Sequence, residues 1–319
     1  MKTSNFFGKN FFIILIIAIG IYSIFLIYSD FNTVINNSLT FNFIFIPLIL
    51  LTIFSSWMFL FLRWIVLLKN SNIKIPFKDN LLIYLAGFTF SISPAKSGEL
   101  IKSIFLKNKF NIDKSTSIPI IFVERFYDVL ALIILILFGI SFLGLEFLPI
   151  VILCVGVLFS ILFLIYSKSK FDYFVRFASK FKFLQKFITP LENSHEIIRK
   201  SITPKTFLIS TTLTIFYRLI EALSVYLVLL GFGIDLISYF ELTYMYSASI
   251  ILGSMSMIPG GLGITEGSLA SLLSSQGIDF STALVLVIII RFFTLWFAVI
   301  TGFIALKISG ALNIKNDSI

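Results

Sequence analysis

The chain has 319 residues, of which 58% are apolar and only 13% are charged, and its mean hydropathy is +1.03. So few charged side chains cannot cover the surface of a soluble protein, and the composition therefore indicates an integral membrane protein. The net charge of +9 would suggest nucleic-acid binding in a soluble domain. Here the basic residues flank apolar segments, so we expect membrane lipids with anionic headgroups as their partners, and no nucleic acid.

Six apolar segments are long enough to cross the membrane, because a spanning helix needs about 20 residues. They are residues 11–29, 43–67, 118–142, 149–167, 206–230 and 283–306. Two other apolar segments, 81–93 and 240–257, end in proline- and glycine-rich breaks. Because proline lacks an amide donor and glycine weakens a helix, each break predicts a re-entrant hairpin, at 81–106 and 240–275. The breaking residues are Pro94, Gly98, Pro259, Gly260, Gly261 and Gly263.

The basic residues predict which side of the membrane each loop faces. Twenty of the 25 lie in five segments that can share one side, whereas the linkers around Asp30, Glu146, Asp235 and Asp279 contain none. This positive-inside pattern predicts a multi-pass protein of the plasma membrane with both termini in the cytoplasm. The twenty are Lys2, Lys9, Lys69, Lys74, Lys78, Lys102, Lys107, Lys109, Lys114, the nine between Lys168 and Lys205, Lys307 and Lys315.

The order of spans and hairpins repeats. Span, span, hairpin, span occurs twice, with three crossings in each half, so the second half is inverted. Arg125 follows Pro94 by 31 residues and Arg291 follows Pro259 by 32, which supports the repeat against chance similarity of two breaks. We therefore predict an all-α polytopic fold with about six spanning helices and two re-entrant hairpins, divided into halves 1–145 and 146–319.

Ten ionisable residues fall inside the apolar segments, and their charges sum to zero. A charge facing lipid at mid-span costs about 3 kcal/mol, so these side chains are expected to face the bundle interior. Arginine binds phosphate with a planar fork, and the half-helix after each break would offer amide groups to an anion. The ten ionisable residues therefore predict a lipid-headgroup site. They are Arg63, Lys96, Glu99, Glu124, Arg125, Asp128, Arg218, Glu221, Glu266 and Arg291.

Other interpretations of these charges stay open. The pairs could simply hold helices together, and the spacing of three residues predicts pairing of Arg125 with Asp128 and of Arg218 with Glu221. Glu99 and Glu266 could act as ordinary first-turn acids that neutralise helix amides, or as proton carriers.

Residues 168–205 alternate phenylalanines with basic residues, which predicts an amphipathic helix on the anionic cytosolic leaflet. The chain has one cysteine and one histidine, so we expect no metal site and no catalytic triad. The sequence also contains no nucleotide-binding or hydrolase motif, so we expect that the protein binds no cofactor and is not an enzyme.

Three motifs resemble the lysylphosphatidylglycerol synthase transmembrane-domain family, the flippase-like region of bacterial multiple-peptide-resistance proteins. They are Ser93-Pro94-Ala95-Lys96-Ser97-Gly98-Glu99, Glu124-Arg125-x-x-Asp128 and Pro259-Gly260-Gly261-Leu262-Gly263-x-x-Glu266. The resemblance covers about residues 8–308 and implies movement of a lipid between leaflets, with Glu99, Arg125, Asp128 and Glu266 at motif positions. Relatives include stand-alone proteins linked to glycolipid or polyprenyl-phosphate-sugar pathways. The aminoacyltransferase domain of two-domain members is not expected here, so the family name does not imply synthase activity.

These observations together predict a flippase that moves a phosphate-bearing lipid by alternating access. The substrate would be a phospholipid, a glycolipid or a polyprenyl-phosphate-linked sugar, and a glycosyltransferase or aminoacyltransferase of the same pathway is a candidate partner. One alternative is an intramembrane enzyme that modifies glycolipid or phospholipid, or a subunit of one. A second alternative is a membrane scaffold without transport.

Overall fold

A computed structural model describes residues 20, 41–93, 98–143, 148–180 and 194–309. Within these ranges the chain forms twelve α-helices and no strand, which confirms the all-α fold. The predicted span 11–29, apart from residue 20, lies outside the described residues, as do Pro94 and Lys96. The helices are α1 Phe45–Asn70, α2 Phe77–Gly87, α3 Ile101–Phe110, α4 Lys114–Leu143, α5 Leu148–Tyr166, α6 Lys168–Ala178, α7 His195–Ser201, α8 Pro204–Gly231, α9 Tyr239–Met255, α10 Ile264–Ser275, α11 Phe280–Arg291 and α12 Phe297–Ile308.

Helices occupy all five predicted spans that fall within the described ranges. They are α1, α4, α5, α8 and the continuous run α11–α12, which a π-helical turn at Phe292–Trp296 joins. Among the described residues, three stretches are long and apolar enough to cross a membrane by length and composition: Phe45–Asn70, Pro204–Gly231 and Phe280–Ile308. The chain is therefore an all-α membrane protein, while the number of crossings and the inverted halves stay predictions.

The first break separates α2 from α3. A short 3-10 turn, Phe88–Phe90, follows α2, and the Ser93 hydroxyl then accepts a hydrogen bond from the Gly98 amide at 2.6 Å. The same hydroxyl donates to the Phe90 carbonyl at 2.7 Å. A Cβ on Gly98 would lie 2.2 Å from the Cβ of Phe90, so only glycine fits where the chain resumes. Helix α2 thus ends at Gly87 and α3 begins at Ile101, while the re-entrant hairpin stays a prediction.

The second break separates α9 from α10. Gly260, Gly261 and Gly263 have φ values of 63°, 65° and 85°, a left-handed region that glycine adopts at no steric cost. A Cβ on Gly261 would lie 3.1 Å from the Cα of Gly253, because the turn packs directly on α9. The sequence analysis predicted the break but not the close approach to Gly253.

The described residues divide into two compact units that interleave along the chain. The first unit contains Phe90–Gly98, Leu219–Ile300 and the described residues up to Ser55. The second unit contains Ser56–Thr89, and the described residues of Glu99–Arg218 and Thr301–Ile319.

Candidate functional site

The second unit holds six ionisable side chains in a closed ring, which we call the ionic ring. Positive and negative charges alternate around it, each member contacts the next, and the formal charges sum to zero. In order, the members are Arg63, Asp128, Arg125, Glu99, Lys102 and Glu124. Helices α1, α3 and α4 supply all but Glu99, which lies just before α3.

One side of the ionic ring is built around Asp128. Its Oδ1 accepts from Nη1 of Arg63 at 2.6 Å, and its Oδ2 lies 2.9 Å from Nη1 of Arg125. The predicted pairing of Arg125 with Asp128 is thereby confirmed. Arg125 also donates from Nη2 to Oε2 of Glu99 at 2.9 Å, so this guanidinium bridges two carboxylates.

The other side of the ionic ring is built around Lys102. Its ammonium lies 2.5 Å from Oε2 of Glu124 and 3.1 Å from Oε2 of Glu99. Glu124 closes the ring, with its Oε1 3.6 Å from Nη2 of Arg63. Each carboxylate thus has two cationic neighbours, which is the pairing that buried charges need to offset desolvation.

Neighbouring side chains hold the cations of the ring in place. The Thr214 hydroxyl accepts a hydrogen bond from Arg63 at 3.0 Å. The Lys102 ammonium lies 4.6 Å from the centroid of the Trp64 aromatic system and 5.2 Å from that of Tyr84, which is within the range of cation–π attraction. A Cβ on Gly87 would meet the Lys102 stem at 3.0 Å, so glycine there leaves room for the lysine.

Arg125 is the accessible member of the ionic ring. Its side chain is 25% exposed, whereas the other five are between 0% and 9%. Its Nε has no hydrogen-bond partner among the described residues. This Nε is itself buried, so an incoming anion would have to take the place of a carboxylate at the guanidinium, whose planar fork suits a phosphate oxygen pair.

Lys102 corrects the sequence analysis, which counted it among the twenty basic residues on the cytosolic side. Its side chain is 1% exposed and belongs to the ionic ring. The charge count erred because Lys102 is close in sequence to Lys107 and Lys109, which do lie at the surface and pair with acidic residues there. Its position three residues after Glu99 indicated that the two side chains could form an ion pair.

We expect Lys102→Met to destabilise the protein by about 3 to 5 kcal/mol, because Glu124 would lose its closest cation in a buried site. Lys107→Met is the matched control: it removes the exposed Lys107–Asp113 pair at 2.7 Å, worth about 1 kcal/mol or less. Thermal unfolding of both variants in detergent checks this. Equal losses of stability would show that the ionic ring does not hold the second unit together.

The first unit contains a smaller ionic contact at the second break. Nε of Arg291 lies 2.8 Å from Oε1 of Glu266, and Nη2 of Arg291 donates to the Gly260 carbonyl. Oε2 of Glu266 accepts from the Gly263 amide at 2.8 Å, which caps α10. Arg291 therefore joins the break to α11, and the π-helical turn begins at the residue after it.

These contacts occupy one amide at each break, whereas the expectation that the half-helices offer free amides to an anion stays a prediction for the rest of the first turn. The Gly263 amide is satisfied by Glu266 and the Gly98 amide by Ser93. Glu266 thus acts as a first-turn acid, one of the two roles left open for it. Helix amides at these two positions are unavailable for a headgroup, so the case for a phosphate site rests on Arg125.

The two breaks meet within the first unit. Ile92, next to the first break, packs with Leu262 of the second break and with Leu295 of the π-helical turn in one buried cluster. A Cβ on Gly260 would lie 2.9 Å from Cγ1 of Ile92. The two breaks are therefore packed directly against each other.

Two further predicted site residues lie on α8. Arg218 and Glu221 are both buried, and the guanidinium of Arg218 lies 4.8 Å from the ring centroid of Tyr217. They fall on either side of the boundary between the two units, so their pairing stays a prediction. The predicted site residue Lys96 is outside the described residues.

The amphipathic segment 168–205 is described in part. Phe171 and Val175 of α6 are buried, whereas Phe174 and Phe177 are exposed. The ring of Phe171 packs on that of His195, with 5.1 Å between centroids, so this histidine belongs to a packed helix. The exposed face of α6 combines aromatic and basic side chains.

Comparison with known proteins accords with the motif resemblance. The family model described as the lysylphosphatidylglycerol synthase TM region matches residues 14–302. A UPF0104 membrane protein of Methanocaldococcus jannaschii is 27% identical over 216 residues, which cover 67% of this chain and 91% of the relative. A UPF0104 membrane protein of Pyrococcus horikoshii is 26% identical over 286 residues, which cover 80% of this chain and 82% of the relative.

Proposed function

The chain belongs to the lysylphosphatidylglycerol synthase transmembrane-region family, and we propose that it is a flippase for a phosphate-bearing lipid in the plasma membrane. The observation that carries the proposal is the ionic ring, in which Arg125 is the most exposed side chain. A buried ion network contributes little net stability compared with apolar packing, which favours a functional reason for keeping six charges together.

Arg125 is proposed to bind the phosphate of the headgroup, while the lipid tails stay in the hydrocarbon. A guanidinium donates two parallel hydrogen bonds to phosphate, and low surrounding polarity strengthens them. The substrate class is a phosphodiester lipid, such as a phospholipid or a polyprenyl-phosphate-linked sugar. The flippase moves the headgroup and makes or breaks no bond in it, so no catalytic residue is assigned.

Alternating access is proposed to use the two halves of an inverted repeat. Two matched contacts support this: Glu99 follows the first break and pairs with Arg125, 26 residues later, and Glu266 follows the second and pairs with Arg291, 25 residues later. Discontinuous helices near a central site, in inverted halves, are a common architecture of secondary transporters. The packing of Ile92 on Leu262 would couple the two breaks.

We also propose that α6 lies on the anionic cytosolic leaflet. Its exposed aromatic residues would enter the headgroup boundary, and its basic residues would face anionic lipids. Both termini would then be cytoplasmic. A glycosyltransferase or aminoacyltransferase that supplies the lipid is the proposed pathway partner.

Transport by the purified protein in proteoliposomes tests the function. Fluorescent phosphatidylglycerol and a fluorescent polyprenyl-phosphoryl sugar are placed in both leaflets, and an impermeant reductant quenches the outer one. We expect the quenched fraction to rise from about half to nearly all when the protein is present, with the mass of each lipid unchanged. Fractions equal to those of empty liposomes would contradict a flippase and favour the scaffold, whereas a changed lipid mass would indicate an enzyme.

The orientation is tested with single cysteines in a Cys154→Ser background. Positions Asp235 and Gln276 are exposed and predicted to be external, whereas Asn108 and Ser169 are exposed and predicted to be cytosolic. An impermeant thiol reagent on intact cells should label only the external pair, and all four after lysis. Labelling of Asn108→Cys in intact cells would overturn the predicted topology.

A further inference from the structure

We propose that Arg63 and Glu124 form a second binding position for the lipid headgroup inside the ionic ring, an inference that rests on the proposed flippase function. One edge of the Arg63 guanidinium would bind two oxygens of the phosphate. Oε1 of Glu124 would accept a hydrogen bond from a hydroxyl group next to that phosphate. The position would therefore select a phosphodiester lipid whose headgroup alcohol carries a further free hydroxyl.

Arg63 has one edge of its guanidinium without a hydrogen bond. Its Nη1 donates to Asp128 at 2.6 Å and to Thr214 at 3.0 Å. Its Nε and Nη2, which together form the other edge of the planar group, have no hydrogen-bond partner among the described residues, although the side chain is fully buried. Buried donors without partners cost free energy, and native proteins contain few of them. Two parallel donors on one edge suit the two free oxygens of a phosphodiester.

Arg291 in the first unit uses the same edge of its guanidinium for contacts within the protein. Its Nε donates to Oε1 of Glu266 at 2.8 Å, and its Nη2 donates to the Gly260 carbonyl. An arginine that joins two elements of the fold can thus have both of these donors satisfied by the chain itself. Among the described residues, none supplies the two equivalent acceptors to Arg63. The unpaired edge of Arg63 therefore favours a ligand that brings two oxygen acceptors.

Glu124 supplies the acceptor of the proposed position. Its Oε2 lies 2.5 Å from the Lys102 ammonium. Its Oε1 is buried without a hydrogen-bond partner among the described residues, and it lies 3.6 Å from Nη2 of Arg63, beyond the usual hydrogen-bond range. A headgroup hydroxyl can donate to this oxygen. A headgroup ammonium is disfavoured there, because Lys102 and Arg63 would repel a third cation.

Asp128 connects the proposed position to Arg125. Its carboxylate lies 2.6 Å from Arg63 and 2.9 Å from Arg125, so the two guanidiniums are neighbours across one acid. At Arg125 an anion would have to take the place of a carboxylate, whereas at Arg63 it would bind two donors that make no hydrogen bond to the described residues. Because Arg125 is partly exposed and Arg63 is fully buried, we expect the phosphate to contact Arg125 first. It would reach Arg63 when the helices around the ionic ring move apart.

Two fluorescent lipids with the same tails and the same charge test the proposal in wild-type proteoliposomes. Phosphatidylglycerol carries free hydroxyls next to its phosphate, whereas phosphatidylmethanol carries none. We expect phosphatidylmethanol to cross about tenfold more slowly, because it cannot donate a hydrogen bond to the charged acceptor. Phosphatidylmethanol that crosses as fast as phosphatidylglycerol, with both faster than in empty liposomes, would overturn the second position and leave the flippase standing. Movement of neither lipid beyond empty liposomes would overturn both.

The phosphate half of the position is assigned with Arg63→Lys. This variant keeps the charge that pairs with Asp128 but loses the planar fork, so we expect phosphatidylglycerol to cross about tenfold more slowly than with the wild type. Arg199→Lys, the same change at an exposed position of α7, is the matched control and should keep the wild-type rate. Equal rates for the two variants would show that the edge of Arg63 binds no phosphate, and the second position would be wrong.

The hydroxyl half is assigned with Glu124→Asp, which withdraws the acceptor by one methylene and keeps its charge. The ratio of the phosphatidylglycerol rate to the phosphatidylmethanol rate should fall from about ten to about one, because the hydrogen bond that separates the two lipids is lost. This ratio does not depend on the fraction of protein that is active. A ratio that stays near that of the wild type would mean that another residue binds the hydroxyl, and the assignment to Glu124 would be wrong. If a variant fails to elute as a monodisperse peak, the comparison of the two lipids with the wild type still decides.

Discussion

Arg125→Ala is expected to lower the rate of lipid translocation about 100-fold, because it removes two charge-assisted hydrogen bonds to the headgroup, worth about 1.5 kcal/mol or more each. Arg125→Lys should lose about tenfold, since an ammonium keeps the charge but not the planar fork. The measurement is the initial rate of outer-leaflet quenching in proteoliposomes. Arg199→Ala, at an exposed position on α7, is the control and should keep the wild-type rate.

A structural role for Arg125 would give a different pattern. Removal of the Arg125 side chain leaves the ionic ring with one surplus negative charge, which destabilises a buried site. Transport rates are therefore compared only for variants that elute as a monodisperse peak. The double variant Arg125→Ala with Asp128→Ala restores charge balance, because Arg63 and Lys102 then face Glu99 and Glu124. We expect it to recover stability but not transport. Recovery of both would mean that the pair only holds helices together, and the proposed headgroup site would be wrong.

Gly261→Ala is expected to reduce transport at least tenfold, through the second break. The φ of 65° is unfavourable for alanine by about 1 to 2 kcal/mol. In addition, the new Cβ would lie 2.6 Å from Oγ1 of Thr265 and 3.1 Å from the Cα of Gly253, so α9 and α10 must separate. That movement would pull the break away from Arg291.

Gly233→Ala separates backbone strain from packing. Gly233 has a similar φ of 70°, but a Cβ there would have no neighbour within 4 Å. The Gly233→Ala variant should lose a comparable amount of stability through backbone strain and keep the wild-type transport rate. Thermal unfolding and lipid quenching are measured for both variants. If Gly261→Ala transported lipid as fast as Gly233→Ala, the second break would not be a moving element.

The sequence predicts the helices well because a membrane imposes a simple length requirement on apolar segments. It predicts both breaks because proline and glycine act locally on the backbone. The pairing of Arg125 with Asp128 is also local, since residues three apart share a helix face. The motifs around these same residues predict the family, and the family model that matches residues 14–302 confirms it.

The closed ring could not be predicted, because its key contacts join distant parts of the chain. Arg63 and Asp128 are 65 residues apart, and Arg63 and Thr214 are 151 apart. Lys102 was assigned to a cytosolic segment because it lies close in sequence to Lys107 and Lys109, and its burial cannot be predicted from that position. The capping of the Gly263 amide by Glu266 depends on a rotamer and a turn geometry that the spacing alone does not determine.

The central claim is that the chain moves lipids by binding their phosphate, and one comparison tests it most directly. Two fluorescent lipids with the same tails, phosphatidylglycerol and a neutral glycosyl diacylglycerol without phosphate, are assayed in identical wild-type proteoliposomes. We expect that only the phosphate-bearing lipid moves faster than in empty liposomes, and that Arg125→Ala removes this difference. Equal rates for the two lipids, unchanged by Arg125→Ala, would contradict it.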